Sequence, residues 1–259
     1  MVSSDTDLVT VRRVAYSMAQ RYNAEDRYSP KTLTSLCQEI LAWDQASALP
    51  GLDLGAGTCV PTSRLAEVRS NMIAFDLSMA MLVQPRVRTG FSRVIADVSD
   101  LPVRSSSCGL VTVFSALHLI PDKKRVVAEV ARVLAPGGVF GVVHVERNDL
   151  RAQLIHKGFP RFHQLEVDKH VTATQLRLHC DGEGLNEVHT AEFFSHKSYK
   201  NTRDFISYVA GKPYFGLAMM DEAEFAVGLS QLGSYLAEKH AHGSIDDYLK
   251  LSLAMFRKR

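Results

Sequence analysis

The chain has 259 residues, of which 46% are hydrophobic and 22% charged, with a formal net charge of +2. That length suits one α/β domain with an added cap, and the apolar share excludes disorder as the main state. The balanced charge offers no electrostatic case for a nucleic acid or an anionic membrane as partner, and the sequence holds no apolar run of about 18 residues that could span a bilayer. Residues Met1 to Asp5 have neither the basic start nor the apolar stretch of a secretory leader. Cys37, Cys59, Cys108 and Cys180 are scattered without C-x-x-C spacing, so reduced thiols in a cytoplasmic protein are expected, not a zinc site or a disulfide framework. The basic end Arg257-Lys258-Arg259 reads as solvated charge.

In chain order, Val9 to Tyr22 reads as a helix broken at Tyr28-Ser29-Pro30. Lys31 to Trp43 reads as a second, with Leu33, Leu36, Ile40 and Trp43 at helical spacing and Ser29-Pro30 as its cap and first position. From Pro50 short apolar runs alternate with helical stretches: Gly51–Leu54, Met72–Phe75, Arg93–Ala96, Gly109–Phe114 and Val139–Val145. This alternation predicts a doubly wound α/β fold with a mostly parallel sheet covered on both faces. Asp122 caps the helix before the fifth run, Val126, Val130 and Val133 share its face, and Pro136-Gly137-Gly138 is expected to end it. Beyond Glu146, Thr172–Gly184 reads as a helix, Val188–Phe194 as a strand, and Tyr248–Phe256 as a closing strand. Between the last two, Asp221-Glu222-Ala223-Glu224 resembles a capping box that opens a helix with Phe225, Leu229, Leu232 and Leu236 on one side. The expected organisation is an N-terminal helical lid over 1–48, a doubly wound α/β core over 49–198, a helical cap inserted at 199–245, and a closing core strand over 246–259.

The sharpest chemical signal is Leu52-Asp53-Leu54-Gly55-Ala56-Gly57-Thr58, a strand ending in a glycine turn that leads into a helix. Glycine admits a tight turn and lets a ligand reach the backbone. The dinucleotide fingerprint G-x-G-x-x-G fails at Val60. Asp53 also places a carboxylate where a pyrophosphate would be repelled and a ligand bearing an ammonium and a sulfonium would not. Asp76, in Phe75-Asp76-Leu77-Ser78, follows the glycines by the interval at which a carboxylate accepts ribose hydroxyls. Asp97, in Ala96-Asp97-Val98, ends the third run, where it can accept from an adenine amino group.

Residues 51–146 thereby resemble the class I, Rossmann-like S-adenosylmethionine-dependent methyltransferases, in particular their small-molecule branch. The resemblance rests on LDLGAGT, AFDLSMAML, ADVSDLPVRSSSCGLVTV, FSALHLIPD and EVARVLAPGGVFGVV, in that order. It implies a seven-stranded sheet whose last strand runs antiparallel. It also implies S-adenosylmethionine as methyl donor and S-adenosylhomocysteine as product. Asp53, Gly55, Ala56 and Gly57 would hold the methionine end, Asp76 the ribose and Asp97 the adenine amine. Leu77 and Val98 would pack on the base, with Ser115 and the lid residue Tyr22 completing the site. The sequence departs from the family at Cys59, where a third glycine is usual.

Transfer from a sulfonium needs alignment and exclusion of water, and a base only where the acceptor must lose a proton. His118, after the fourth strand, and His144, ending the fifth, are the candidate catalytic residues; Glu146, His156 and His163 are weaker ones. No metal site is expected, because His144, Glu146, Asn148 and Asp149 lack ligand geometry. Tyr199, Phe205, Tyr208, Tyr214, Phe215, Met219 and Met220 suit either a cap over an apolar or aromatic acceptor or ordinary core packing. The expected activity is methylation of a small molecule on O, N or C, in a setting such as specialised metabolism, by a monomer or homodimer. RNA or protein methylation and a non-catalytic scaffold are the alternatives.

Overall fold

The computed structural model describes residue 19 and residues 28–83, 90–240 and 243–259. The expected first helix, apart from Ala19, and the candidate contact Tyr22 lie outside these residues. Helix α1 (Pro30–Ala42) starts as the sequence signals: the Ser29 hydroxyl accepts from the Thr32 amide at 3.1 Å, with proline at the first position. Then follow β1 (Gly51–Leu54), α2 (Val60–Ala66), β2 (Met72–Asp76), α3 (Met79–Leu82), β3 (Ser92–Ile95) and β4 (Cys108–Phe114). A 3-10 turn (Leu117–Leu119) leads to α4 (Lys123–Val133), capped by Asp122, and to β5 (Leu134–His144). A second 3-10 turn (Arg147–Ala152) precedes α5 (Ile155–Gly158), α6 (Pro160–Lys169), α7 (Ala173–Gly182) and β6 (Leu185–Tyr199). The chain continues through α8 (Thr202–Ala210), α9 (Phe215–Ala218), α10 (Glu222–Lys239) and β7 (Ile245–Lys258).

The strands form one seven-stranded sheet in the order β3-β2-β1-β4-β5-β7-β6. Strands β1 to β5 pair in parallel, and β7 runs antiparallel to both neighbours, as expected. Every residue of β1 and β4 is buried, which follows from helices covering both faces of a parallel sheet. One face packs Val126, Val127, Val130 and Val133 of α4 against Leu52, Val111, Val113 and Phe140. Each of these α4 valines is fully buried, worth roughly 1.5–3 kcal/mol apiece. The other face receives Leu33, Leu36 and Ile40 of α1.

Two boundaries differ from the sequence reading. Pro136-Gly137-Gly138 does not end α4. The helix stops at Val133, Leu134 is already extended, and β5 begins there. Cys108 pairs with Leu134 and Leu110 with Val139, so the Pro-Gly-Gly stretch is an irregularity inside the strand. Strands β6 and β7 also outrun their apolar centres, pairing from Leu185–Lys258 to Tyr199–Ile245. Strand β6 has a partner on one side only and alternates covered with exposed residues, so its ends carry polar residues that show no apolar run.

A third cluster lies beyond the main core and meets the sheet at the paired residues Tyr199 and Ile245. Leu154, Ile155, Phe159 and Phe162 pack with Phe205, Val209, Leu217, Phe225, Leu232 and Leu236. The helices inserted before β7 are therefore cored jointly with α5 and α6. Asp221 caps α10, accepting from the Glu224 amide at 2.8 Å.

Candidate functional site

The strand order reverses between β1 and β4, and in doubly wound sheets a ligand crevice opens at the carboxyl ends of strands that diverge in this way. The glycine turn lies at that point. Gly55 has φ +68°, and a Cβ there would fall 2.6 Å from the Ala116 Cβ. Gly57 has φ +54°, and a Cβ there would meet nothing within 4 Å. The turn thus pairs a backbone only glycine adopts cheaply with open room above Gly57. Its shape is held from β2: the Gly57 amide donates to Asp76 Oδ2 at 2.8 Å, and the Ser78 amide donates to Oδ1 at 2.9 Å. Burial raises the Asp76 pKa while these amides pull it down. Ala56 is buried and donates to the Phe75 carbonyl, and Leu77 is half-buried beside the carboxylate.

Asp53 lies beneath this turn. Its side chain is fully buried, Oδ2 accepts from the Thr62 hydroxyl at 2.5 Å and Oδ1 from the Thr112 hydroxyl at 3.0 Å. Burial pushes its pKa up to about 7 against the pull of those hydroxyls. The carboxylate thereby ties β1 to α2 and β4. Thr62 and Thr112 went unnoticed in the sequence, where a threonine carries no distinctive signal. Cys59 occupies a left-handed backbone, φ +59°, at the start of α2. Its buried thiol packs in a small cluster with Ala74 and Leu82, and burial lifts its pKa to about 12. The backbone thus accepts a side chain where the resembling family has glycine, at a cost of about 1 kcal/mol for the left-handed conformation. All four cysteines are free and buried.

Asp97 accepts from the Ser99 amide at 2.8 Å and the Ser99 hydroxyl at 2.7 Å, both on Oδ1, so Oδ2 keeps its acceptor capacity. Val98 is buried next to it. Ser115 closes β4 with φ +48°, its amide bonded to the Val143 carbonyl and its hydroxyl accepting from Tyr28 at 2.6 Å.

The histidines separate into different environments. His144 is buried at the end of β5 with Nε2 3.6 Å from Glu146 Oε1, and burial lowers its pKa to about 4. Asp149 pairs instead with Lys250 at 3.4 Å, so the stretch from His144 to Asp149 does not converge. His118 converges with residues remote in sequence. It stacks on His170 at 4.3 Å, and its Nε2 lies 4.0 Å from Glu166 Oε2. A cavity of about 20 Å³ is lined by His118, Gln153, His156, Glu166, His170 and Tyr214. His156 stacks on Phe162 and has its pKa lowered to about 3 by burial. Tyr199 and Phe205 pack edge to face inside the helical cluster. Glu166 and His170 escaped sequence reasoning because helix packing, and no local motif, brings them to His118.

Residues 52–142 match the family model described as a methyltransferase domain. The chain is 36% identical over 108 residues to a demethylmenaquinone methyltransferase of Corynebacterium glutamicum, a match covering 37% of this chain and 46% of that protein. The chain thus spans less than half the length of the curated relatives it matches. Among solved structures it resembles one described as a methyltransferase from an antibiotic biosynthesis pathway of Anabaena variabilis (TM-score 0.64, 13% identity, 85% of this chain and 96% of that one). It also resembles phosphoethanolamine N-methyltransferase 2 of Haemonchus contortus, solved with S-adenosylhomocysteine (TM-score 0.51, 15% identity, 86% of this chain and 52% of that one). At such identities the structures show the Rossmann-like fold of the domain. Among the described residues, no helix is long and apolar enough to cross a membrane.

Proposed function

We propose that the chain binds S-adenosylmethionine across the carboxyl ends of β1, β2 and β3 and methylates a small-molecule acceptor held under the helical cluster of α5, α6 and α8–α10. The observation that carries this reading is the bond from the Gly57 amide to Asp76. It locks an open glycine turn to a carboxylate with acceptor capacity to spare, which suits a ligand that joins a diol to a charged amino-acid end. Bound there, S-adenosylmethionine supplies an electrophilic methyl carbon: the acceptor's lone pair forms the new bond to it as the sulfonium–carbon bond breaks, the electron pair remaining on sulfur. The residues of the chain bind and orient. Asp76 accepts from the ribose hydroxyls, Asp97 Oδ2 accepts from the adenine amine, and Leu77 and Val98 flank the base. The turn from Gly55 to Gly57 offers its backbone to the methionine end, aided by Ser115 and by Tyr22 from the segment outside the described residues. Asp53 acts from below, holding the turn through Thr62 and Thr112. Where the acceptor loses a proton, His118 takes it; His144 is too weak a base near neutral pH. The demethylmenaquinone methyltransferase likeness favours a ring-bearing, largely apolar acceptor.

Calorimetric titration with S-adenosylmethionine tests the binding step. Asp97→Ala removes one adenine contact and spares the Asp76 lock, and is expected to weaken binding about 10-fold, the worth of one charge-assisted hydrogen bond. No saturable heat from the folded native protein, or an unchanged affinity in the variant, would sink the assignment.

A further inference from the structure

We propose that His118, Glu166 and His170 form a binding site for a divalent transition-metal ion of the zinc class, at the wall of the cavity they line. They come from the 3-10 turn after β4, from α6, and from the loop after α6. Their ligand atoms all lie within 4.8 Å of one another, and Glu166 and His170 are buried. Two imidazoles and one carboxylate are a donor set that suits zinc and its first-row neighbours, with positions left for water or an acceptor oxygen.

His170 is the pre-set ligand. Its Nδ1 lies 2.7 Å from the Glu166 carbonyl. A carbonyl only accepts, so Nδ1 carries the proton and Nε2 of the neutral ring holds the lone pair a metal takes. This outer bond to a backbone carbonyl is the kind that orients metal-binding histidines. The backbone of His170 is held too, its amide on the same carbonyl at 3.0 Å and its own carbonyl accepting from Arg147 Nη2 at 2.9 Å. His118 is the ligand that moves. Its ring stacks on His170 with planes 12° apart, and two parallel rings cannot aim in-plane lone pairs at one ion. Binding one ion therefore requires the His118 ring to turn out of the stack, so that the donors approach the spacing of roughly 3.3 Å that tetrahedral zinc with bonds near 2.0 Å requires. Lys169 Nζ, 4.0 Å from Glu166 Oε1 and 38% exposed, is the cation such an ion would displace towards solvent. The cavity beside these residues has room for an ion and a water. The site is therefore suited to fixing one oxygen of an acceptor whose body lies beyond it.

Binding of the ion stands independently of methyl transfer; its use on an acceptor oxygen rests on the methyl transfer proposed above and takes the place of proton removal by His118, whose lone pair the ion would occupy. The full chain, treated with EDTA and freed of it, is titrated with Co²⁺ by visible absorption and with Zn²⁺ by thermal shift. One equivalent of Co²⁺ should give the intense d–d bands of a four- or five-coordinate site, and Zn²⁺ should raise Tm by mass action. His170→Ala and the milder Glu166→Gln should each weaken Co²⁺ binding at least 10-fold, with an unaltered circular dichroism spectrum and unaltered S-adenosylmethionine affinity. Absence of saturable Co²⁺ uptake, or uptake equally strong in both folded variants, overturns the site. Loss of S-adenosylmethionine binding by the native protein would instead count against the methyltransferase reading and leave the metal result standing.

Discussion

The buried Asp53 carboxylate makes a sharp prediction about stability. Its pKa stands at about 7 in the fold, against an ordinary value of 3.8. Below pH 4 the group is protonated folded or unfolded and costs nothing. As pH rises the unfolded chain ionises first, so the folded state loses stability until about pH 7, and the loss then levels off. Each pH unit in that window is worth ~1.4 kcal/mol, which sets a ceiling of about 4 kcal/mol. Relaxation and water near a buried ion reduce this, and we expect about 2 kcal/mol. Asp53→Asn removes the charge at constant shape. The amide oxygen still accepts from Thr62. The amide NH₂ donates to Thr112 Oγ1, whose own proton turns wholly to the Leu52 carbonyl, already 3.2 Å away. Urea denaturation of both proteins at pH 5 and pH 8 reads the difference. The variant should gain on the native protein between the two by about 1 kcal/mol, since part of the loss is already present at pH 5, which corresponds to roughly 2–4 °C in Tm. A gap of the same size at both pH values, or a variant that is the less stable at pH 8, would refute the argument that burial of this charge is costly.

Gly55→Ala forces a Cβ against Ala116 in a left-handed backbone, and should cost about 1–3 kcal/mol while abolishing measurable S-adenosylmethionine binding by calorimetry. Arg69 is buried and bonds Asp44 at 2.6 Å and the Leu49 carbonyl at 2.8 Å. Arg69→Ala strands the Asp44 carboxylate and should lower stability by about 3–5 kcal/mol in denaturant titration. Leu232 is fully buried in the helical cluster away from the glycine turn. Leu232→Ala should cost about 2–5 kcal/mol yet leave the S-adenosylmethionine affinity of the folded protein within about twofold of native.

The likeness to methyltransferases was legible because its signals are local. A glycine turn needs glycines at fixed offsets, and parallel strands buried on two faces need continuous apolar runs, so 52–142 announces itself. The faults in reading arose where neighbours decide. Pro136-Gly137-Gly138 looks like a helix stop, yet pairing between Cys108 and Leu134 recruits it into a strand. The ends of β6 and β7 look like polar loops, yet a pair of antiparallel strands satisfies its own backbone hydrogen bonds and needs apolar residues only where it meets the core.

The chemistry divides along the same line. Asp76 and Asp97 could be picked out by their distance from the glycines, since strand and turn lengths set where a carboxylate falls along the sheet edge. The state of Asp53 could not, because its ionisation depends on hydroxyls from two other elements and on complete exclusion of water. His118 was visible as a histidine after the fourth strand. Its partners Glu166 and His170 meet it only through the packing of α6 against the 3-10 turn that carries His118. Sequence by itself determined the sheet, the glycine turn and the family likeness, because hydrophobic period and turn geometry act over a few residues. Tertiary structure alone decided which buried groups share a charge environment, because solvation and close contact between distant segments exist only once the chain has closed around them.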